Sequence, residues 1–165
     1  MFEAYIDGAC KPVNPGGTAS YGVIVYKQVN KKIPSSQLFE IIENIITEKI
    51  VWKDCGIVGT GPNMSNNVGG YAALLKLLEW LNKTVSPSKE MEVFSNNRML
   101  VNQMRGEWKA HSDKLYYPYY QKASALMLAN KLVGKVIFFW IPRELNLADA
   151  LTVEALVKAG IVTRR

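Results

Sequence analysis

Asn14-Pro15-Gly16-Gly17 separates two stretches in which apolar and polar residues alternate, and no other feature constrains the start of the fold as tightly. Residues 2 to 10 alternate with a period of two. Tyr21-Gly22-Val23-Ile24-Val25-Tyr26-Lys27 reads as a second strand, rich in β-branched and aromatic residues. Alternation of this kind points successive side chains to opposite faces of a sheet. Proline and two glycines supply the backbone angles of a tight reversal. The pair is predicted to form a β-hairpin.

Residues 49 to 59 read as a third strand, which extends the hairpin to an antiparallel meander. A helix is predicted over 68–82, with Leu74, Leu75, Leu77, Leu78 and Leu81 as its apolar stripe. A short strand over 91–95 leads into a helix that runs to about Gln103. A longer helix is predicted over 113–132, with Leu115, Tyr119, Leu126 and Leu128 among its apolar positions. A strand over 134–141 and a helix over 147–158 close the chain. Strands first, then helices alternating with strands, imply an α/β fold: a mixed five-stranded sheet flanked by helices. At 165 residues and 48% hydrophobic, the chain suits one domain over 1–165 with its own core.

Residues 29 to 47 do not fit this pattern and read as an insertion between the second and third strands. Leu38, Phe39, Ile41, Ile42, Ile45 and Ile46 lie at helical spacing after Pro34-Ser35-Ser36, and the isoleucines equally permit a longer hairpin. Two readings stand: an elaborated hairpin packed on the sheet, or a surface for a dimer or protein partner.

No apolar run reaches the length of a membrane span, and no basic stretch followed by an apolar one opens the chain. The expectation is an intracellular, cytoplasmic protein with no membrane partner. Net charge is +6, which favours a polyanionic partner, because Lys and Arg displace counterions from phosphates. Cys10 and Cys55 make neither a disulfide framework nor a zinc site, so reduced thiols are expected.

Four segments carry the chemistry. They are Tyr5-Ile6-Asp7-Gly8-Ala9-Cys10, Ser65-Asn66-Asn67-Val68-Gly69-Gly70-Tyr71, Val93-Phe94-Ser95-Asn96-Asn97, and Asn146-Leu147-Ala148-Asp149-Ala150-Leu151. Their order, spacing and flanks resemble type 1 ribonuclease H, and closest its archaeal-type branch, over nearly the whole chain. The resemblance implies the ribonuclease H-like fold and cleavage of the RNA strand of RNA–DNA hybrids. That family places an acid in each segment. Asp7 and Asp149 retain theirs, whereas Gly70 and Asn96 stand at the other two positions.

In the chemistry that the resemblance implies, clustered carboxylates hold two Mg²⁺ or Mn²⁺ ions, one activating water and one stabilising the leaving oxygen. Asp7 would bridge both ions and Asp149 would hold one. Gly70 removes a ligand, and Asn96 keeps the shape of aspartate without its charge. Neighbouring acids do not rescue the site: Glu79 lies more than two helical turns from Gly70, and Glu92 lies roughly 13 Å along the strand from Asn96. The expectation is weak occupancy by at most one ion, at Asp7 and Asp149. Hydrolysis is expected to be impaired or lost. The alternatives are an active hybrid ribonuclease and a protein-interaction or scaffold module. Natural loss of the acids, an engineered change and a surviving weak nuclease all fit the replacements.

The resemblance also marks binding positions. Gly8, Ala9 and Cys10 lie where backbone approaches the RNA strand, Asn14 precedes the first turn, and Asn66 and Asn67 stand at the mouth of the first helix. Turn and capping duty is the plain alternative for the asparagines. Pro142-Arg143-Glu144 resembles an archaeal-type loop in which Arg143 meets a phosphate; a surface salt bridge is the other reading. His111 is expected at the surface. Trp108 and Tyr116-Tyr117-Pro118-Tyr119-Tyr120 permit base stacking, but aromatics at helical spacing are expected in the core. No basic helical handle like that of the bacterial branch is visible.

Overall fold

The computed structural model describes residues 2–27, 50–84 and 90–163. The proposed insertion at 29–47 and its two readings lie outside the described residues. A single five-stranded sheet organises the rest. Its strands are β1 (Phe2–Lys11), β2 (Thr18–Lys27), β3 (Ile50–Thr60), β4 (Met91–Ser95) and β5 (Val136–Trp140), in the order β3-β2-β1-β4-β5. β1, β2 and β3 pair antiparallel, whereas β4 joins β1 and β5 joins β4 in parallel. The helices are α1 (Asn66–Thr84), α2 (Arg98–Met104), α3 (Tyr117–Ala129) and α4 (Asp149–Lys158), with a 3₁₀ turn at Arg143–Leu145. Among the described residues no helix is long and apolar enough to cross a membrane.

The period of two in β1 sorts its residues to two faces. Ala4 and Ile6 are fully buried under α1, with Leu74, Leu77, Leu78, Val93 and Leu100 in the same core. The other face carries Asp7 and meets α4. There a stacked aromatic row crosses four strands: Tyr26 to Tyr5 at 5.8 Å, Tyr5 to Phe94 at 5.2 Å and Phe94 to Phe139 at 5.5 Å. Offset ring pairs of this kind support strand pairing directly.

The element edges depart from the sequence expectations for local reasons. β2 begins at Thr18 rather than Tyr21, because Gly17 N–H closes the turn onto the Val13 carbonyl at 3.0 Å and both faces of the strand are buried, so alternation fades. α1 begins at Asn66 because the Ser65 hydroxyl accepts from Val68 N–H at 3.1 Å, a cap ahead of the apolar stripe. α3 begins at Tyr117 rather than 113, since Pro118 fits only a first turn. β5 begins after the positive-φ turn at Gly134 (φ 82°), and α4 begins at Asp149 after the 3₁₀ turn.

Adjacent glycines in α1 have opposite duties. A Cβ on Gly69 would lie 2.4 Å from the Ser20 carbonyl oxygen, and one on Gly8 would lie 2.0 Å from Gly70 N. Helix and hairpin therefore touch backbone to backbone. A Cβ on Gly70 meets only ordinary contacts, with Leu100 Cδ1 at 3.5 Å and Asn97 Nδ2 at 3.6 Å. Urea unfolding should show Gly69→Ala destabilised by about 1–3 kcal/mol from overpacking. Gly70→Ala should instead be stabilised by about 0.5–1 kcal/mol, because alanine is the better helix former. Equal effects at both positions would contradict this packing.

Candidate functional site

β1 and β4 run parallel with Tyr5 opposite Phe94, so Asp7 and Asn96 emerge at the same end of the sheet. The Gly8–Gly69 crossing brings the start of α1 to that end. Asp7, Gly8, Asn67, Gly70, Asn96 and Arg98 line one cavity of about 230 Å³ there. Asp149, at the start of α4, lies against Asp7 on the other face of the sheet. The four positions singled out in the sequence thus converge.

Asn146 holds them in place, a role the sequence reading did not assign. It is 5% exposed. Its Nδ2 donates to the Ile6 carbonyl at 2.9 Å and to Asn96 Oδ1 at 2.7 Å, while its Oδ1 accepts from Ala148 N–H at 3.1 Å. One side chain therefore ties β1, the end of β4 and the start of α4 together. Its place as first residue of the Asn-x-x-Ala-Asp segment was the available signal. Asn97 caps α2 by accepting from Leu100 N–H at 3.1 Å and donates to Asn67 Oδ1 at 2.9 Å. Trp140 Nε1 donates to the Asn96 carbonyl at 3.2 Å, and the Arg98 guanidinium stacks 4.3 Å over the Trp140 ring.

Asp7 is 8% exposed and accepts from Gly8 N–H at 2.8 Å. Burial, with the Asp149 carboxylate adding to it, pushes its carboxyl up from 3.8 to about 7, against the lowering effect of Gly8 N–H and Arg143. Arg143 Nε pairs with Asp149 Oδ1 at 3.2 Å, and the arginine side chain stays 69% exposed. An open pair of this kind contributes at most about 1 kcal/mol.

The positions expected to bind nucleic acid extend away from the acids. Asn14 Oδ1 accepts from Asn66 N–H at 3.1 Å, joining the hairpin turn to α1. Ala9 is half-buried. Cys10 is buried with its thiol donating to the Val13 carbonyl at 3.2 Å, so its side chain serves the turn, and both cysteines are free. Asn14, Asn66 and Asn67 line a second cavity of about 810 Å³ whose far wall includes Trp108, Lys109 and Lys114. Lys109 and Lys114 were not named as binding residues in the sequence, and Trp108 was weighed there for base stacking but expected in the core. His111 is exposed, as expected, and lines the same wall.

The aromatic cluster divides. Tyr116 is 4% exposed and stacks on Tyr71 in the core, in line with expectation. Trp108 corrects it: the side chain is 50% exposed. Residues 105–116 leave α2 through Gly106 (φ 78°) and have no helix, so Trp108 is carried off the core. A buried network anchors this segment. Tyr71 Oη donates to Gln103 Oε1 at 2.6 Å, Gln103 Nε2 donates to Tyr116 Oη at 2.9 Å, and His111 N–H donates to Tyr116 Oη at 3.1 Å.

The donor set does not suit a pair of divalent cations. Among the described residues no group of three or more His, Cys, Asp or Glu is placed to hold a metal. The Asp7 carboxylate, several carboxamides and the Arg98 guanidinium line the cavity, with Asp149 beside Asp7, and hard doubly charged ions prefer clustered anionic oxygens.

No family model matches the chain. Solved structures do. LC11 ribonuclease H1, isolated from compost and solved in complex with an RNA/DNA hybrid, is 27% identical, with 96% of this chain and 99% of that one covered at a TM-score of 0.73. The ribonuclease H domain of rv2228c from Mycobacterium tuberculosis is 23% identical, covering 96% and 95% at 0.70. Ribonuclease H1 from Halobacterium salinarum is 23% identical, covering 95% and 98% at 0.67. The chain has the type 1 ribonuclease H fold over nearly its whole length.

The raised Asp7 carboxyl links stability to pH. Folded Asp7 titrates near 7 and the unfolded side chain near 3.8, so the folded state keeps a proton that the unfolded chain releases. Its stabilising contribution is complete below the unfolded value and is lost as pH rises through 7. In EDTA, Asp7→Asn should unfold later than the parent at pH 8 by on the order of 2–4 kcal/mol and match it near pH 4. A parent that gains stability between pH 4 and 7 through Asp7 would contradict this environment.

Proposed function

We propose that this protein binds RNA–DNA hybrid or related duplex nucleic acid on a ribonuclease H frame and cleaves it poorly or not at all. The observation that carries the reading is the convergence of Asp7, Gly70, Asn96 and Asp149 at one sheet end, with two of the four lacking a carboxylate, beside an open, amide-lined trough. The hybrid-bound ribonuclease H1 of the same fold supports the choice of ligand.

The trough supplies what shape-based recognition of a duplex asks for. Asn14, Asn66 and Asn67 offer carboxamides to minor-groove sugars and base edges, where 2′-hydroxyls distinguish RNA. Lys109 and Lys114 face the same space and suit the phosphates of the second strand, and Trp108 offers a flat apolar surface to its sugars. Arg143 stands exposed on Asp149, where a phosphate would compete for it. The net charge of +6 adds long-range attraction.

Hydrolysis is where the frame falls short. Mg²⁺ or Mn²⁺ would supply the activated water and stabilise the leaving oxygen, but only Asp7 and Asp149 remain to hold an ion, and one pairs with Arg143. Each lost preorganised charge costs about 3–4 kcal/mol of transition-state stabilisation. Two such losses correspond to a rate fall of roughly 10⁴ to 10⁶ if they add, although ligands of one site rarely add cleanly.

Two measurements test this reading. A labelled RNA–DNA hybrid should bind with an affinity that falls steeply with salt, and Lys109→Ala or Lys114→Ala should each flatten the log–log slope by about one unit. In Mg²⁺ or Mn²⁺ the protein should leave the hybrid essentially intact while Gly70→Glu/Asn96→Asp cuts it; the Gly70 position has room for the new Cβ. Cleavage by the parent at the rate of the double variant would make the protein a working hybrid ribonuclease. Salt-independent or absent binding would favour a protein-interaction role.

A further inference from the structure

We propose that the cavity beside Asp7 receives a nucleic-acid phosphate directly, with a guanidinium and carboxamides in the place where divalent ions bridge phosphate and protein in the two-ion arrangement. This deepens the hybrid-binding reading and rests on it.

Charge comes first. Two carboxylates, Asp7 and Asp149, are accompanied by two guanidiniums, Arg98 at the cavity and Arg143 on Asp149, so the immediate site carries no formal net charge. Four uncompensated acids would repel a phosphodiester and admit it only with cations in between. Here the repulsion is already balanced by the chain itself.

Hydrogen-bond polarity comes second. Asn96 Oδ1 is taken by Asn146 Nδ2 at 2.7 Å. This leaves the Asn96 amide nitrogen, with two protons, as the end available to a ligand, and no described residue accepts from it. An aspartate at 96 would present a second acceptor oxygen instead, which needs a cation. Asn67 is fixed the same way: its Oδ1 accepts from Asn97 Nδ2 at 2.9 Å, so its own amide nitrogen is the free end.

Arg98 completes the set. Its guanidinium is stacked on Trp140 at 4.3 Å and forms no ion pair among the described residues. Stacking holds the planar donor in place and leaves its edge N–H groups for a phosphate, the geometry that makes arginine a preferred phosphate ligand. Gly70 lines the cavity with backbone alone, so no side chain from that position projects into it.

The test is hybrid binding followed by fluorescence anisotropy in EDTA and in Ca²⁺ at matched ionic strength, on the full chain. The protein should bind equally well or more tightly in EDTA. Gly70→Glu/Asn96→Asp should bind about tenfold more weakly in EDTA and regain affinity with Ca²⁺, because its added charges need ions. Arg98→Ala should lose about tenfold in EDTA with a salt slope flatter by about one unit, and Arg98→Lys should keep the slope. Thermal unfolding of each variant separates lost binding from lost fold. Binding by the parent that requires Ca²⁺, or an Arg98→Ala variant with unchanged affinity and slope, would overturn direct phosphate binding while leaving hybrid recognition in place. Absence of binding in both media would overturn both.

Discussion

Backbone contact between α1 and the β1–β2 hairpin is the constraint on which the site depends. Gly8 and Gly69 let the two elements approach until a single methyl would collide with a carbonyl or an amide. Any wider spacing would carry Asn66, Asn67 and position 70 away from Asp7. The opposite face uses the same device, since a Cβ on Gly22 would lie 2.7 Å from the Ala148 carbonyl oxygen, where the chain enters α4. Ser20 then fastens α4 by donating to the Thr152 carbonyl at 3.0 Å. Both helix starts that carry site residues are thus set by backbone shape, and neither fit uses an acid.

That separation explains how the frame stands with half the acids replaced. Asn146 needs an acceptor at 96 and finds one in a carboxamide as readily as in a carboxylate. A Cβ at position 70 would meet only ordinary contacts, with Leu100 and Asn97, and the core packs without a side chain there. Removing charge also relieves repulsion that four clustered carboxylates would exert without counterions. On the reading proposed above, Gly70 and Asn96 are inexpensive for folding and expensive for two-ion chemistry.

The strands, the hairpin and the four motif segments were legible in the sequence because each has a local signature: a period of two, a Pro-Gly turn, or a motif at fixed spacing. Trp108 was not legible, because periodicity cannot tell that Gly106 turns the chain out of the helix before it. Lys109 and Lys114 were hidden for the same reason: their place on the trough is set by Gln103 and Tyr116, whose partners are distant or lie across a turn. Asn146 stood in a recognised motif, yet its work is to bond Ile6 across 140 positions of sequence, which no local pattern reports. Gly8 was read for a backbone that approaches the RNA strand, whereas the structure adds a packing duty toward Gly70.

Asp7 is the residue that a pure scaffold explains least. It is a carboxyl held almost entirely out of water, and its hydrogen bond from Gly8 N–H would serve an asparagine equally well. Desolvation, with the Asp149 carboxylate hydrogen-bonded beside it, penalises its charge in the folded state at neutral pH, against the weaker pull of Arg143. A ligand that donates to it removes that burden, and a ribose hydroxyl at the cavity mouth is such a donor. The same cavity presents amide and guanidinium donors on its other wall. On the reading proposed above, a site with an acceptor at Asp7, several amide and guanidinium donors, and too few anions for paired metal ions suits the mixed polarity of a sugar–phosphate backbone.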